Sequence, residues 1–226
     1  MTWVLANLPL LGQYTLAHLT QAVPAIIATF LLAVPAARLA RLSRPVRRLL
    51  VTGSSLLYAV PSLALFIVLP LLIGTGVRDT LNVIVALTLY GLALMVPAAV
   101  EALESVDRGP LDAATAMGMG FERRFLTVEL PLAGPALLAG LRVVTVSTIS
   151  LTTVGAVLGV RSLGFLFTDG FQRGLWSEVL SGLVLTVALA LVLDLLAVAV
   201  GRLLMPWTRR RPSRAPSGAE TEEATA

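Results

Sequence analysis

Five apolar runs set the limits of what this chain can fold into. A helix needs roughly 20 apolar residues to cross about 30 Å of hydrocarbon. Runs of that kind occupy residues 15–37, 49–73, 80–100, 131–158 and 179–205. The fourth is too short for two spans and a turn, which need roughly 40 residues, so it reads as one tilted or protruding helix. Pro24, Pro61, Pro70, Pro97 and Pro135 lie in or at the ends of these runs. Neighbouring helices can re-satisfy the backbone groups that such prolines free. With 57% hydrophobic and 13% charged residues, the chain is expected to be all-α, a polytopic transmembrane helical bundle of about five spans.

Arginine gives the expected direction. All of the cationic side chains except His18 are arginines. Arg38, Arg41, Arg44, Arg47 and Arg48 follow the first run; Arg108, Arg123 and Arg124 lie between the third and fourth; Arg202, Arg209, Arg210, Arg211 and Arg214 fall at and after the end of the fifth. The other side carries only Arg78, Arg161 and Arg173. The positive-inside bias predicts an N-terminus outside and a C-terminus inside. No Arg or Lys precedes the first run, so a cleaved signal peptide with a basic start is not expected. The expected organisation is an extracytoplasmic segment at 1–14, a transmembrane domain at 15–206 and a disordered cytoplasmic tail at 207–226, rich in Pro, Ser, Ala and Glu. The basic residues fall between apolar runs, so topology explains them better than nucleic-acid binding. The chain has no cysteine, which excludes disulfides and thiol chemistry.

Residues 112–131, DAATAMGMGFERRFLTVELP, break the pattern. They lie on the expected cytoplasmic side and mix small residues with three acids and an Arg pair. Asp112 can cap or charge the start of a short helix. Ala113, Ala114 and Ala116 favour helix and give it a smooth surface. Gly118 and Gly120 end or bend it, a second short helix is expected at about 121–128, and Pro131 would open the fourth span. A small-residue helix lets a partner approach closely and has little to bury alone. The residues therefore predict a docking element for a cytoplasmic protein.

Asp112-Ala113-Ala114, Gly118, Val128, Leu130 and Pro131, at these intervals, resemble the cytoplasmic signature loop of ABC importer permeases: Glu-Ala-Ala, three residues, Gly, nine residues, Ile, one residue, Leu-Pro. Asp stands for Glu and Val for Ile. The similarity runs over about 12–205 and is greatest to permeases of the osmoprotectant type (glycine betaine, choline, carnitine), through VPSLALFIVLPLLIGTG at 60–76, ALTLYGLALMVP at 86–97 and MGMGFERRFLTVELPLAGPALLAGLR at 117–142. Methionine-type permeases share part of it. One segment departs: the usual Gly-x-Gly-Gly-Leu-Gly reads Gly159-Val160-Arg161-Ser162-Leu163-Gly164. The resemblance implies a permease subunit of the bacterial inner membrane that forms a translocation pathway with a second, identical or related, permease chain. A separate ATPase would dock on the coupling loop (Asp112, Ala113, Ala114, Thr115, Gly118, Gly120, Leu130, Pro131), and an extracytoplasmic binding protein would deliver the solute. ATP would be bound by the ATPase, with no cofactor and no catalysis in this chain. The alternatives are an ABC permease for another small solute, such as an amino acid, or a gradient-driven transporter.

Two charges lie within the apolar runs, Arg142 in the fourth and Asp194 in the fifth. At 1.5 Å per residue each sits about 16 Å from the cytoplasmic end of its own span. A lone charge at that depth is costly, so the two are expected to pair. His18, with Gln21 nearby, reads as an interfacial histidine and not a proton relay. Tyr58, Tyr90, Phe66 and Trp176 could meet a quaternary amine by cation–π contact, but packing or interface anchoring is the better reading of each. Ser54, Ser55 and Ser62 fit close helix packing, and Trp3 and Trp207 fit interface belts.

Overall fold

A computed structural model describes residues 2–208. It is helical, with no strand among the described residues. A short helix α1 (Thr2–Ala6) leads into α2 (Leu8–Ala40). The chain continues through α3 (Arg44–Ala59), α4 (Ser62–Ile73) and α5 (Thr80–Glu104). The loop after α5 carries α6 (Arg108–Ala116) and α7 (Phe121–Arg124), then a π turn over Phe125–Glu129 leads into α8 (Leu130–Thr152). A 3-10 turn at Thr153–Leu158, α9 (Phe165–Gln172) and α10 (Trp176–Leu204) follow. The tail expected from 207 lies, beyond Thr208, outside the described residues.

Four helical stretches are long and apolar enough to cross a membrane: α2, α5, α10, and the continuous helix Phe121–Leu158. The pair α3 and α4 makes a fifth, bent by 109°. The chain is a multi-pass membrane protein. The run at 49–73, expected as one helix, is therefore broken. Pro61 has no N–H to donate and holds Val60 in extended backbone (φ −66°, ψ 129°), where a helix stops. The Tyr90 hydroxyl donates to the Val60 carbonyl that the break exposes, so α5 holds the corner.

Three other boundaries differ from expectation. Helix α2 begins at Leu8, well before residue 15, and has Pro9 in its first turn, where a missing N–H costs nothing. Residues within 1–14 are thus mostly helical. The short helix expected at 121–128 is not separate: it runs into α8 through the π turn, with the Leu130 N–H reaching the Phe125 carbonyl. Pro131 consequently sits within a continuous helix, and does not open one. Its ring would crowd the carbonyl four residues back, and a wider turn at that place relieves the crowding. Helix α9 was not anticipated.

Helix α5 is the centre of the bundle. Against α2 it meets a stripe of small residues, Ala22, Ala25, Thr29, Ala33, Ala37 and Ala40, all buried. Such a stripe lets helix backbones approach closely, as packing in lipid favours; a Cβ on Gly91 of α5 would run into Thr29. One apolar cluster joins Ala33, Ala37, Met95, Ala99, Leu103, Phe125, Ala133 and Leu137. A second, toward the other end, joins Phe66, Leu69, Val83, Leu87 and Val160. The middle and the last turns of α2 are thereby fixed relative to α5.

Candidate functional site

The residues of the signature segment assemble at one end of the bundle. Helix α6 starts at Asp107, whose carboxylate accepts the Gly109 N–H at 3.2 Å. Asp112, expected at the start, lies mid-helix because the Asp107 cap and Pro110 set the first turn earlier. The helix ends at Gly118, which takes φ +78°, a left-handed conformation that glycine adopts without strain. The Met119 N–H returns to the Ala114 carbonyl at 3.1 Å and the Gly118 N–H to that of Thr115 at 2.9 Å, a Schellman closure. Gly120 then flanks α7 in extended backbone.

Only Leu111 and Ala114 of α6 are buried. They lie three apart on one face and seat the helix on the bundle. Asp112, Ala113, Thr115, Ala116, Met117 and Gly118 are exposed. The outer face is thus small and nearly flat, with Met117, 70% exposed, as its one large apolar side chain. Leu130 and Pro131 are set back from it, half-buried at the head of α8. The predicted set therefore divides into an exposed face and a supporting base.

Behind this face lies a group of arginines and carboxylates that sequence reasoning did not single out. Arg38, in the last turn of α2, donates twice to Glu122, at 2.7 and 2.6 Å. The same guanidinium lies over the rings of Phe121 (4.7 Å) and Phe125 (4.4 Å). Arg41 pairs with the buried Glu129, and Arg47 donates twice to Glu104, at 2.7 and 3.0 Å. The planar guanidinium–carboxylate forks of Arg38 and Arg47 fix geometry as well as charge. They hold the ends of α2 and α5, the start of α3 and the 108–129 segment at one arginine-rich end. The end of α10 is there too, since Gly201 lies against Leu138 of α8. The available signal was the alternation of acids and arginines on elements predicted to share a side; nothing in the spacing gave the pairing.

Arg142 and Asp194 form a two-bond pair between α8 and α10, at 2.6 and 2.7 Å. The Asp194 side chain is 16% exposed and that of Arg142 46%. His18 is fully buried within the bundle, and its Nε2 donates to the Ile149 carbonyl at 3.1 Å. Gln21, also buried, donates to the Arg161 carbonyl at 2.7 Å. The departing segment at 159–164 is thus fastened to α2 through its backbone, while the Arg161 side chain is exposed. Of the four aromatics considered for a cation, Phe66 is core, Tyr90 is occupied by Val60, and Tyr58 and Trp176 are exposed.

Comparison with known proteins follows the same outline. The family described as "Binding-protein-dependent transport system inner membrane component" matches residues 25–210. The osmoprotectant import permease protein OsmW of Salmonella typhimurium is 30% identical over 207 residues, 90% of this chain and 96% of that protein. The choline transport system permease protein OpuBD of Bacillus subtilis is 31% identical over 159 residues, 70% of this chain and 69% of the other. Among solved structures, an inward-facing form of the MetNI methionine ABC transporter superposes with a TM-score of 0.77. It has 20% identity and covers 88% of this chain and 98% of its own, a likeness of fold.

Proposed function

The chain belongs to the inner-membrane components of binding-protein-dependent transport systems, the permeases of ABC importers, and on that premise we propose how it works and what it carries. It is the permease subunit for an osmoprotectant such as glycine betaine, choline or carnitine. The observation that carries the mechanism is the exposed, small-residue face of α6 at the arginine-rich end. That face is too small to be a core and too smooth to be an ordinary polar surface, and it fits a groove on a separate ATPase. The arginine-rich end is cytoplasmic, so the face points to where ATP is.

Two permease chains form the pathway, an extracytoplasmic binding protein delivers the solute, and closure of two ATPase subunits around ATP displaces the α6 helices. This chain needs no cofactor of its own and catalyses no reaction. The substrate class is supported by similarity to OsmW over 90% of this chain and to OpuBD over 70% of it, and by the names of both.

Because the chain has no native cysteine, Thr115→Cys and Ala116→Cys give clean crosslinking sites. Crosslinking in native membranes should yield an adduct with an ABC ATPase that changes when ATP is trapped. Absence of any such adduct, in membranes where the chain is folded and active, would favour a gradient-driven transporter. For the substrate, uptake of labelled glycine betaine should be competed by choline or carnitine. Competition by methionine instead would reassign the solute to an amino acid.

A further inference from the structure

The docking face and α2 are joined by an unbroken line of contacts. The Thr115 hydroxyl, on α6, accepts from Arg124 Nη1 at 2.8 Å. The Arg124 guanidinium lies 5.8 Å from the centre of the Phe121 ring. That ring also meets the Arg38 guanidinium, at 4.7 Å. Arg38 is held in turn by both oxygens of Glu122 and by Phe125. Two guanidiniums therefore share one aromatic ring, and one carboxylate fork locks the second of them.

We propose that Arg38 and Phe121 form a rigid joint that makes the last turn of α2 move with α6, so that displacement of the docking face is passed directly to α2. Three physical points support it. Four separate contacts converge on the Arg38 head group, leaving it no alternative rotamer that keeps them. Its side chain is only 21% exposed, so the guanidinium is partly desolvated, and cation–π attraction strengthens when the cation is desolvated. Finally, α6 itself buries only Leu111 and Ala114, too little to drag a helix of 33 residues without a fixed joint. Arg38 and Phe121 are positioning residues: they touch neither solute nor ATP.

The joint rests on α6 being the ATPase docking helix, so the two are tested separately. Spin labels at Leu32→Cys on α2 and Arg108→Cys at the start of α6, both at exposed positions and the latter outside the docking residues, report the distance between the helices in the complete complex, without nucleotide and with ATP trapped. With Arg38 and Phe121 intact, the distance distribution should be unchanged by ATP trapping. In Arg38→Lys, which keeps charge but loses the planar fork, and in Phe121→Leu, which keeps bulk but loses the ring, its width should at least double. Phe121 is 55% exposed, so its replacement leaves folding intact. A distance that shifts on ATP trapping with the joint intact, or variants that behave like the parent, would overturn the joint. The Ala116→Cys crosslink is read in parallel: an ATPase adduct with an unaltered joint-variant distribution removes the joint alone, whereas no adduct removes the docking helix and the joint together.

Discussion

Helices α5 and α10 are both long and apolar, and α10 has the more apolar window of the two, yet they are packed in opposite ways. More than half of the window in α5 is buried inside the bundle and none of that in α10. In α10 only Glu178, Gly182 and Gly201 are buried. Helix α5 is held by side chains fitted among those of α2, α3, α4 and α8. Helix α10 is held along one half-buried stripe, by Leu185 and Leu189 against Leu11, Leu163 and Leu166, by close approach at two glycines and by the Arg142–Asp194 pair, and the rest of its surface is exposed. Hydropathy reports that a helix suits a membrane; it does not report whether protein or lipid surrounds it, because lipid tails are as apolar as leucine.

Substitutions can break this contrast. The largest effect is expected in α5: Met95→Ala empties a fully buried site and should cost about 2–5 kcal/mol, the usual range for a large core truncation. The matched change in α10, Leu191→Ala at a position 58% exposed, should stay within about 0.5 kcal/mol. Reversible unfolding in mixed micelles measures both, and equal losses would erase the distinction. Next comes crowding at α10. A Cβ on Gly182 would lie 2.8 Å from Leu166 Cβ, so Gly182→Leu should cost about 1–3 kcal/mol and loosen α9 from α10 in hydrogen exchange. The smallest net effect sharpens the role of the pair. Arg142→Leu and Asp194→Leu should each lower the melting temperature, because each leaves a charge unpaired. The double variant should recover most of the loss, since replacing both partners by apolar groups is close to neutral. Additive losses would mean that the pair does not fasten α10.

Much of this fold was legible in the runs of apolar residues, and its breaks were less so. The spans α5, α8 and α10 follow from length and composition. The corner at Val60–Pro61 was visible as a proline but not as a corner, since prolines 24, 35, 70, 97 and 135 sit inside helices here and Pro61 does not. What differs is tertiary: the Tyr90 hydroxyl meets the carbonyl freed at Val60. On the docking segment, the small residues and Gly118 could be read locally because helix propensity and left-handed backbone are local properties. The start at Asp107 was missed in favour of Asp112, as both residues have suitable side chains and only the turn around Pro110 decides. The ion pairs of Arg38, Arg41 and Arg47 lay beyond sequence reading because each joins residues more than fifty positions apart.

The π turn at Phe125–Glu129 acts as a one-residue insertion in the helical register. Each residue turns an α-helix by about 100°, so this one extra residue sets the rotation between everything before it and everything after. Phe121 and Glu122 face Arg38 while Ala133 and Leu137 face the core only because of that offset. Ordinary winding over the same residues would swing the first group about 100° away from α2, whereas deleting Thr127 would let ordinary winding resume with one residue fewer and keep both groups in phase. The segment thus carries phase information that no single side chain encodes: the number of residues between the Arg pair and Leu-Pro and the width of the turn that winds them set it together.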